Sequence, residues 1–190
     1  MHPRRTSPAE PPERRGLAIL VAIALLAIVV AIRSQLRAER TQAGGDAPAV
    51  ELAMLDGERV ALASLRGSVV LLDFWATWCP PCVESLPVVA EVGAELASEG
   101  VVTVAVSGDQ GRSREEIVRR FLKRHGLESL RVALDDGEVA AAFSVTALPT
   151  LVVLGRDGRV VATHQGGADE AELRALVARA LEAPPRGESS

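Results

Sequence analysis

The two cysteines of the 190-residue chain, Cys79 and Cys82, are separated by two prolines. Two cysteines cannot build a framework of structural disulfides, and two ligands do not complete a structural zinc site. The three histidines form no recognisable metal-binding pattern with them, so we expect no metal. Two thiols at this spacing can open and close a disulfide, so the motif indicates redox chemistry.

The cysteine pair lies between a predicted strand and a predicted helix. Residues 69–74 form a short apolar run typical of a buried parallel strand. After the pair, apolar residues recur at helical spacing until Gly100. Because the N–H groups and dipole of a helix N-terminus favour a thiolate, Cys79 is the expected nucleophile. Cys82, one turn further on, would then resolve the mixed disulfide.

The run Asp-Phe-Trp-Ala-Thr-Trp-Cys-Pro-Pro-Cys at residues 73–82, with Leu-Pro-Thr at residues 148–150, resembles the thioredoxin superfamily. It resembles more narrowly the membrane-anchored thiol-disulfide oxidoreductases of the TlpA/ResA type, over residues 47–181. The resemblance implies an α/β thioredoxin-like fold, with a central mixed β-sheet flanked by helices. It also implies an N-terminal β-hairpin extension and an inserted αβ element.

The resemblance also assigns residues around the cysteine pair. It implies that Pro149 is a cis-proline facing the pair and that the backbone of Leu148 can pair with a bound client strand. Trp78 is expected near the mouth of the site, as part of the client-binding surface. Pro80 and Pro81 adjoin that surface and lack N–H groups. The Cys79 thiolate therefore loses donors, which favours reducing work.

Of two acidic residues close to the cysteines in sequence, one is predicted to take part in catalysis and the other is not. Asp73 lies in an otherwise apolar strand, where burial should raise its pKa and suit it to accept and return the Cys82 proton. The alternative is a solvent-facing Asp73 on an edge strand. Many TlpA-like proteins place a glutamate three residues after the second cysteine, where Ser85 stands here. Glu84 is one position early, so we expect a solvated helix residue without a catalytic role.

The remaining chain predicts the other elements of the domain. We expect strands or hairpins at residues 50–62, 101–106, 131–134 and 150–163 and a helical turn at residues 139–143. A capping box of Ser113 and Glu116 opens a helix that ends at Gly126, with Ile117, Val118, Phe121 and Leu122 on one face. Asp169 caps a final amphipathic helix.

The N-terminal part divides the chain into further segments. Residues 17–32 are 16 consecutive apolar residues, about 24 Å of helix against a hydrocarbon core of about 30 Å. We interpret them as an uncleaved transmembrane anchor. The alternative is a cleaved secretory signal, but charged residues follow the run where cleavage would occur. The predicted order is a cytoplasmic tail (1–16), the anchor, a linker (33–47), a thioredoxin-like domain (48–182) and a disordered tail (183–190).

Charge predicts the orientation and excludes one class of partner. Four arginines precede the apolar run and three follow it closely, which places the N-terminus inside and the domain on the extracytoplasmic side, facing the periplasm in a cell with an outer membrane. Residues 1–40 carry a net charge of +4 and residues 41–190 a net charge of −8. Such an acidic domain has no general affinity for nucleic acid.

These observations predict a membrane-anchored thiol-disulfide oxidoreductase that reduces disulfides of extracytoplasmic client proteins. Its electrons would come from a membrane donor, and it needs no cofactor beyond the Cys79–Cys82 disulfide. Cytochrome c maturation is one such task in the family. Two alternatives remain: a copper-handling module of thioredoxin fold that uses the cysteines as ligands, and a peroxiredoxin-type peroxidase.

Overall fold

The computed structural model describes residues 44–183 and three helical positions, Ile23, Leu25 and Ile28. Apart from those three positions, the predicted N-terminal tail, the anchor and the linker up to residue 43 lie outside the described residues, as do residues 184–190. Among the residues that are described, no helix combines the length and the apolar character needed to cross a membrane.

A seven-stranded mixed sheet forms the centre of the domain. Its strands are β1 (Glu51–Met54), β2 (Arg59–Ala61), β3 (Val69–Trp75), β4 (Val101–Ser107), β5 (Val132–Leu134), β6 (Thr150–Leu154) and β7 (Val160–Gln165). They lie in the order β2-β1-β5-β4-β3-β6-β7. Strand β3 is central, parallel to β4 and antiparallel to β6. The predicted thioredoxin-like α/β fold and the N-terminal hairpin are confirmed.

Four helices flank the sheet: α1 (Pro80–Leu96), α2 (Arg114–His125), α3 (Glu138–Ala142) and α4 (Glu170–Glu182). Alternate residues of β3 point to opposite faces, because side chains alternate along a strand. Leu71 packs in the cluster that holds the apolar residues of α1 and α4. Phe74 packs on the other face with Phe143, just after α3. The helix and strand predicted as an insertion before Pro149 are α2 and β5.

Helix α1 lies close to the sheet because of one glycine. A Cβ atom at Gly93 would lie 2.4 Å from Oγ1 of Thr103 on β4, which is closer than real Cβ atoms approach other atoms. The helix ends in a short 3₁₀ turn, and Gly100 follows with a φ of 85°. This left-handed conformation favours glycine, so Gly100 ends the helical segment, as predicted.

The two predicted helix caps have different outcomes. Asp169 accepts the N–H of Glu172 at 2.8 Å, and the Glu172 carboxylate accepts the N–H of Asp169 at 3.2 Å, so α4 has a complete capping box. The capping box predicted for α2 is wrong, because the Ser113 side chain makes no capping hydrogen bond. The Ser113 backbone is nearly helical, with φ −98° and ψ 8°, whereas a capping residue is normally extended. Glu116 pairs instead with Arg120.

The buried face of α2 is narrower than predicted. Val118, Phe121 and Leu122 are buried, but Ile117 is 41% exposed. The narrower face still holds the helix, because the ring of Phe121 packs against the ring of Trp75 in a tilted arrangement, with centroids 5.1 Å apart. The prediction that Ile117 shares the buried face is therefore wrong.

The folded part of the chain begins before the predicted boundary at residue 48. The Gly44 N–H donates to the Val160 carbonyl at 2.6 Å, and the Val160 N–H donates to the Gly45 carbonyl at 2.8 Å. Asp46 forms an isolated antiparallel bridge with Arg159. Residues 44–47, predicted as part of a linker, are thus held against the β6–β7 hairpin by backbone hydrogen bonds.

Candidate active site

The cysteine pair lies where β3 passes into α1. Cys79 is the N-cap residue of α1, with an extended backbone, and its N–H donates to the Ala76 carbonyl at 3.1 Å. Cys79 and Cys82 form a disulfide with an S–S distance of 2.06 Å and Cα atoms 5.3 Å apart. Cys79 is 5% exposed and Cys82 is fully buried. Of the two cysteines, only Cys79, the residue predicted as nucleophile, has any exposed surface in this oxidised state.

The first turn of α1 offers few hydrogen-bond donors to a thiolate. Pro80 and Pro81 occupy the first two helical positions and have no N–H. The first helical hydrogen bond runs from the Val83 N–H to the Cys79 carbonyl at 3.1 Å. The first N–H group of the helix therefore belongs to Cys82, and it makes no hydrogen bond to the described residues. An ordinary helix would present several such groups there.

Asp73 lies on β3, an interior strand of the sheet, six residues before Cys79. It pairs with Ala105 of β4 on one side and with Leu151 of β6 on the other, so β3 is not an edge strand. Its alternation with Leu71 and Trp75 directs it to the face that α1 covers. Asp73 is 1% exposed, and neither carboxylate oxygen has a hydrogen-bond partner among the described residues. Burial raises the pKa of Asp73 to about 7.

The two tryptophans have different environments. Trp75 is fully buried against Phe121 and belongs to the cluster that contains both cysteines. Trp78 is 67% exposed, immediately before Cys79. Trp75 therefore packs the core under the site, whereas Trp78 presents an apolar surface at its entrance.

The Leu148–Pro149 peptide bond is cis, as the resemblance implied. Thr150, at the start of β6, pairs with Phe74 near the end of β3, so the antiparallel register brings Pro149 to the edge of the sheet from which the cysteines emerge. Leu148 is half-buried and packs against the cluster that contains Cys79 and Cys82. The structure thus brings the predicted Pro149 loop and the cysteine pair together.

Asp109 is a buried residue of the site that the sequence analysis missed. Its carboxylate accepts the Thr77 N–H at 2.9 Å and the Thr77 hydroxyl at 2.5 Å. It also accepts the Ser107 hydroxyl at 2.9 Å, and it is 3% exposed. Asp109 therefore fixes the loop that leads to Cys79. The sequence feature that could have indicated it is its position just after β4. The carboxyl ends of neighbouring parallel strands meet at one edge of a sheet, so a residue after β4 lies near the loop after β3.

A second buried carboxylate extends this network toward the Pro149 loop. Asp135 accepts the N–H groups of Val139 and Ala140 at 2.9 Å each, at the start of α3. Its own N–H donates to the Ser107 carbonyl at 2.9 Å. Hydrogen bonds thus connect the ends of β4 and β5 to α3, the helix that precedes the Pro149 loop.

The remaining predicted residues lie outside this constellation. Glu84 is exposed on α1, as expected for a solvated helix residue, and Ser85 is buried with its hydroxyl 3.4 Å from the Cys82 carbonyl. Within the described residues, no group of three or more His, Cys, Asp or Glu side chains is arranged to hold a metal ion. The arrangement is therefore a dithiol beside a buried acid, which can carry two electrons and a proton.

Comparisons with known proteins agree with this chemistry. Residues 42–177 match the Redoxin family. Thiol-disulfide oxidoreductase ResA of Halalkalibacterium halodurans is 32% identical over 154 residues, which are 80% of this chain and 85% of that protein. The ResA protein of Bacillus subtilis is 33% identical over 135 residues, 71% of this chain and 74% of that protein.

A solved structure of a protein with the same kind of activity has a similar fold. A Chlorobium tepidum protein assigned as thiol:disulfide interchange protein DsbE matches with a TM-score of 0.66 and 32% identity, over 74% of this chain and 98% of that one. Fold, sequence and the disulfide at the start of α1 therefore lead to one conclusion. The chain belongs to the Redoxin family, in which it is a thiol-disulfide oxidoreductase of the ResA type.

Proposed function

We propose that the protein works as a reductase of disulfides in extracytoplasmic client proteins. The Cys79 thiolate attacks a client disulfide, forms a mixed disulfide and releases one client thiolate. Cys82 then attacks the Cys79 sulfur, which closes the Cys79–Cys82 disulfide and releases the second client thiolate. Two electrons pass to the client, and the two client thiolates take up two protons. Asp73 accepts the proton that Cys82 gives up. No cofactor beyond the dithiol is required.

The observation that carries the reducing direction is the proline pair at the start of α1. A strongly oxidising member of the superfamily stabilises its thiolate, and with it the reduced form. Here Pro80 and Pro81 withhold two donors, and the buried Asp73 carries no counter-charge for a thiolate. Both features disfavour the thiolate and thus support a pair that gives its electrons away.

The client would bind across the exposed rim of the site. Trp78 supplies apolar surface, and Pro80 and Pro81 are exposed beside it. The backbone of Leu148, next to Pro149, makes no backbone hydrogen bond in the described structure. It is therefore available to pair with an extended client segment, which gives affinity without sequence specificity.

The reductase would be anchored in the cytoplasmic membrane by residues 17–32, with its domain on the extracytoplasmic or periplasmic side. The uninterrupted apolar run and the arginines around it support this topology. In that position the oxidised pair would be reduced again by a membrane electron donor. Cytochrome c maturation is a fitting task, because haem attachment needs reduced client cysteines.

The reduction potential of the full chain tests the direction. We expect a value below about −200 mV when the protein is equilibrated with defined thiol-disulfide buffers, on a scale where thioredoxin lies at about −270 mV. A value near about −120 mV, the range of the oxidant DsbA, would refute the reductase. Cell fractionation tests the anchor separately: a shortened, released form of the chain would instead indicate a cleaved signal.

A further inference from the structure

Helix α2 differs in charge from the rest of the domain. Residues 44–183 contain 13 Lys and Arg against 21 Asp and Glu, a net charge of −8. Helix α2 alone contains five cations and two acids, a net charge of +3 with His125 neutral. Positive charge is thus concentrated on one element of an otherwise acidic domain, and such an asymmetry attracts partners of opposite sign.

Two cations of α2 have no acidic partner among the described residues. Arg114, Arg119 and Arg120 form ion pairs with neighbouring acids. Lys123 and Arg124 form none among the described residues, and both are exposed. Their charge is therefore available to another molecule.

The same helix borders the active-site loop through a cavity of about 220 Å³. The cavity is lined by Thr77, Ile117, Arg120, Phe121 and Arg124. Thr77 lies two residues before Cys79, so the cavity reaches the loop that carries the nucleophile. Trp78 and Ile117 are the two large apolar side chains that are exposed within residues 44–183. One of these two side chains directly precedes Cys79, and the other lines the cavity that reaches the active-site loop.

We propose that Thr77, Trp78, Ile117, Arg120 and Arg124 form a docking surface for the client, named here the α2 surface. Its occupant is a client segment that carries an apolar side chain flanked by Asp or Glu, close to the disulfide to be reduced. The apolar side chain enters the cavity beside Ile117, and an acidic neighbour pairs with Arg124. The proposal rests on the reductase function above and adds the chemistry of its substrate.

A protein segment fits the α2 surface better than a membrane does. A basic helix can also bind anionic lipid, which supplies the same negative charge. However, Thr77 and Trp78 belong to the same surface, so a membrane on it would cover the entrance to Cys79. A client segment in the cavity brings its disulfide to Cys79 instead.

The test measures how fast the reduced full chain is oxidised by three disulfides. Two are cyclic peptides that share one apolar residue and one disulfide but differ in flanking residues, Asp and Glu in one and Lys and Arg in the other. The third is 2-hydroxyethyl disulfide, which is small and uncharged. The variant is Arg124→Glu. The control is Arg179→Glu, which changes an exposed arginine near the end of α4 that forms no ion pair among the described residues.

We expect the acidic peptide to react about 10-fold faster than the basic peptide at low salt, with the difference shrinking at about 0.5 M salt. Arg124→Glu should slow the acidic peptide about 3- to 10-fold, and Arg179→Glu less than about 2-fold. Ile117→Ser should slow both peptides. No variant should change the rate with 2-hydroxyethyl disulfide, because the sulfur chemistry is intact.

Three results would overturn the α2 surface. The first is equal rates for the two peptides with the unaltered protein. The second is an Arg124→Glu variant that loses binding to phosphatidylglycerol vesicles but keeps the peptide rates, which would make the surface a lipid contact. The third is that the unaltered protein forms a dimer, that Arg124→Glu dissociates it, and that the rates with the two peptides stay the same. If neither peptide is reduced but 2-hydroxyethyl disulfide reacts, the client-reductase function itself fails.

Discussion

Replacing Asp73 with asparagine should change how the stability of the protein depends on pH. Asp73 is 1% exposed, and its carboxylate has no hydrogen-bond partner among the described residues. The charged form is therefore costly in the folded protein, and burial raises the pKa of Asp73 from 3.8 to about 7. In the unfolded chain the carboxyl group is solvated and keeps its ordinary pKa.

The direction in which the free energy of unfolding changes with pH follows from proton binding. Between pH 3.8 and about pH 7 the folded protein holds a proton on Asp73 that the unfolded chain has lost. The free energy of unfolding therefore falls as the pH rises through this window and levels off above it. Each tenfold difference in proton affinity is worth about 1.4 kcal/mol, so the full loss is about 4 kcal/mol. Asparagine cannot ionise, and Asp73→Asn removes this contribution.

Denaturant unfolding of the oxidised protein measures the effect. The difference in free energy of unfolding between Asp73→Asn and the unaltered protein should shift by about 4 kcal/mol in favour of the variant from about pH 4 to pH 8. Other carboxyl groups cancel in this difference. Glu84→Gln is the control, since Glu84 is exposed on α1. A difference for Asp73→Asn that stays constant with pH would show that the carboxyl group is not held in its protonated form.

The same variant tests the proposed proton transfer. If Asp73 accepts the Cys82 proton, Asp73→Asn should slow the release of the client from the mixed disulfide by about 100-fold or more. The attack of Cys79 on the client should keep its rate, because that step needs no proton from Cys82. Stopped-flow measurement of the two phases separates these steps, and an unchanged second phase would remove the role of Asp73.

Three further predictions concern the site and its support. Cys82→Ala should trap clients as mixed disulfides on Cys79, seen as higher-mass bands that a reductant removes; an equal yield from Cys79→Ala would reverse the assigned roles. Asp109→Asn should destabilise the protein by about 1–3 kcal/mol and speed amide hydrogen exchange in the loop before Cys79, since buried donors lose an acceptor; unchanged exchange there would contradict the role of Asp109. Gly93→Ala should destabilise by about 1–3 kcal/mol through overpacking, and adding Thr103→Ala should recover part of the loss in denaturant unfolding.

Local patterns predicted most of the elements that position the cysteines. The apolar run before the pair became β3, and the helical spacing after it became α1, because both patterns report burial along a single element. The cis-proline followed from the resemblance alone, since a trans bond is the default for any proline considered by itself. Asp73 could be predicted as buried because a central strand has both faces covered.

What the sequence could not reveal depends on contacts between distant segments. Asp109 hydrogen-bonds to Thr77, 32 positions away, and its place after β4 indicates an edge of the sheet but not the residue that it contacts. Ser113 has the residue type of a cap, but it lies in a turn in which the Arg114 N–H donates to the Gly111 carbonyl, and its backbone is not extended. Ile117 fits the apolar face of a helix by spacing, yet it lines the cavity beside Thr77 instead of packing in the core.

The inserted elements have two roles: β5 is part of the sheet, and α2 carries the proposed docking surface. Docking must therefore be tested without removing the insertion. Strand β5 lies between β4 and β1, so it joins the N-terminal hairpin to the sheet. The Leu55 N–H donates to the Val132 carbonyl at 2.8 Å, and Arg119 of α2 donates to the Leu55 carbonyl. Deleting the insertion would therefore expose the edge of β4 and detach the hairpin. Loss of client binding in such a deletion would say nothing about α2, whereas Arg124→Glu changes a charge that no other part of the described structure uses.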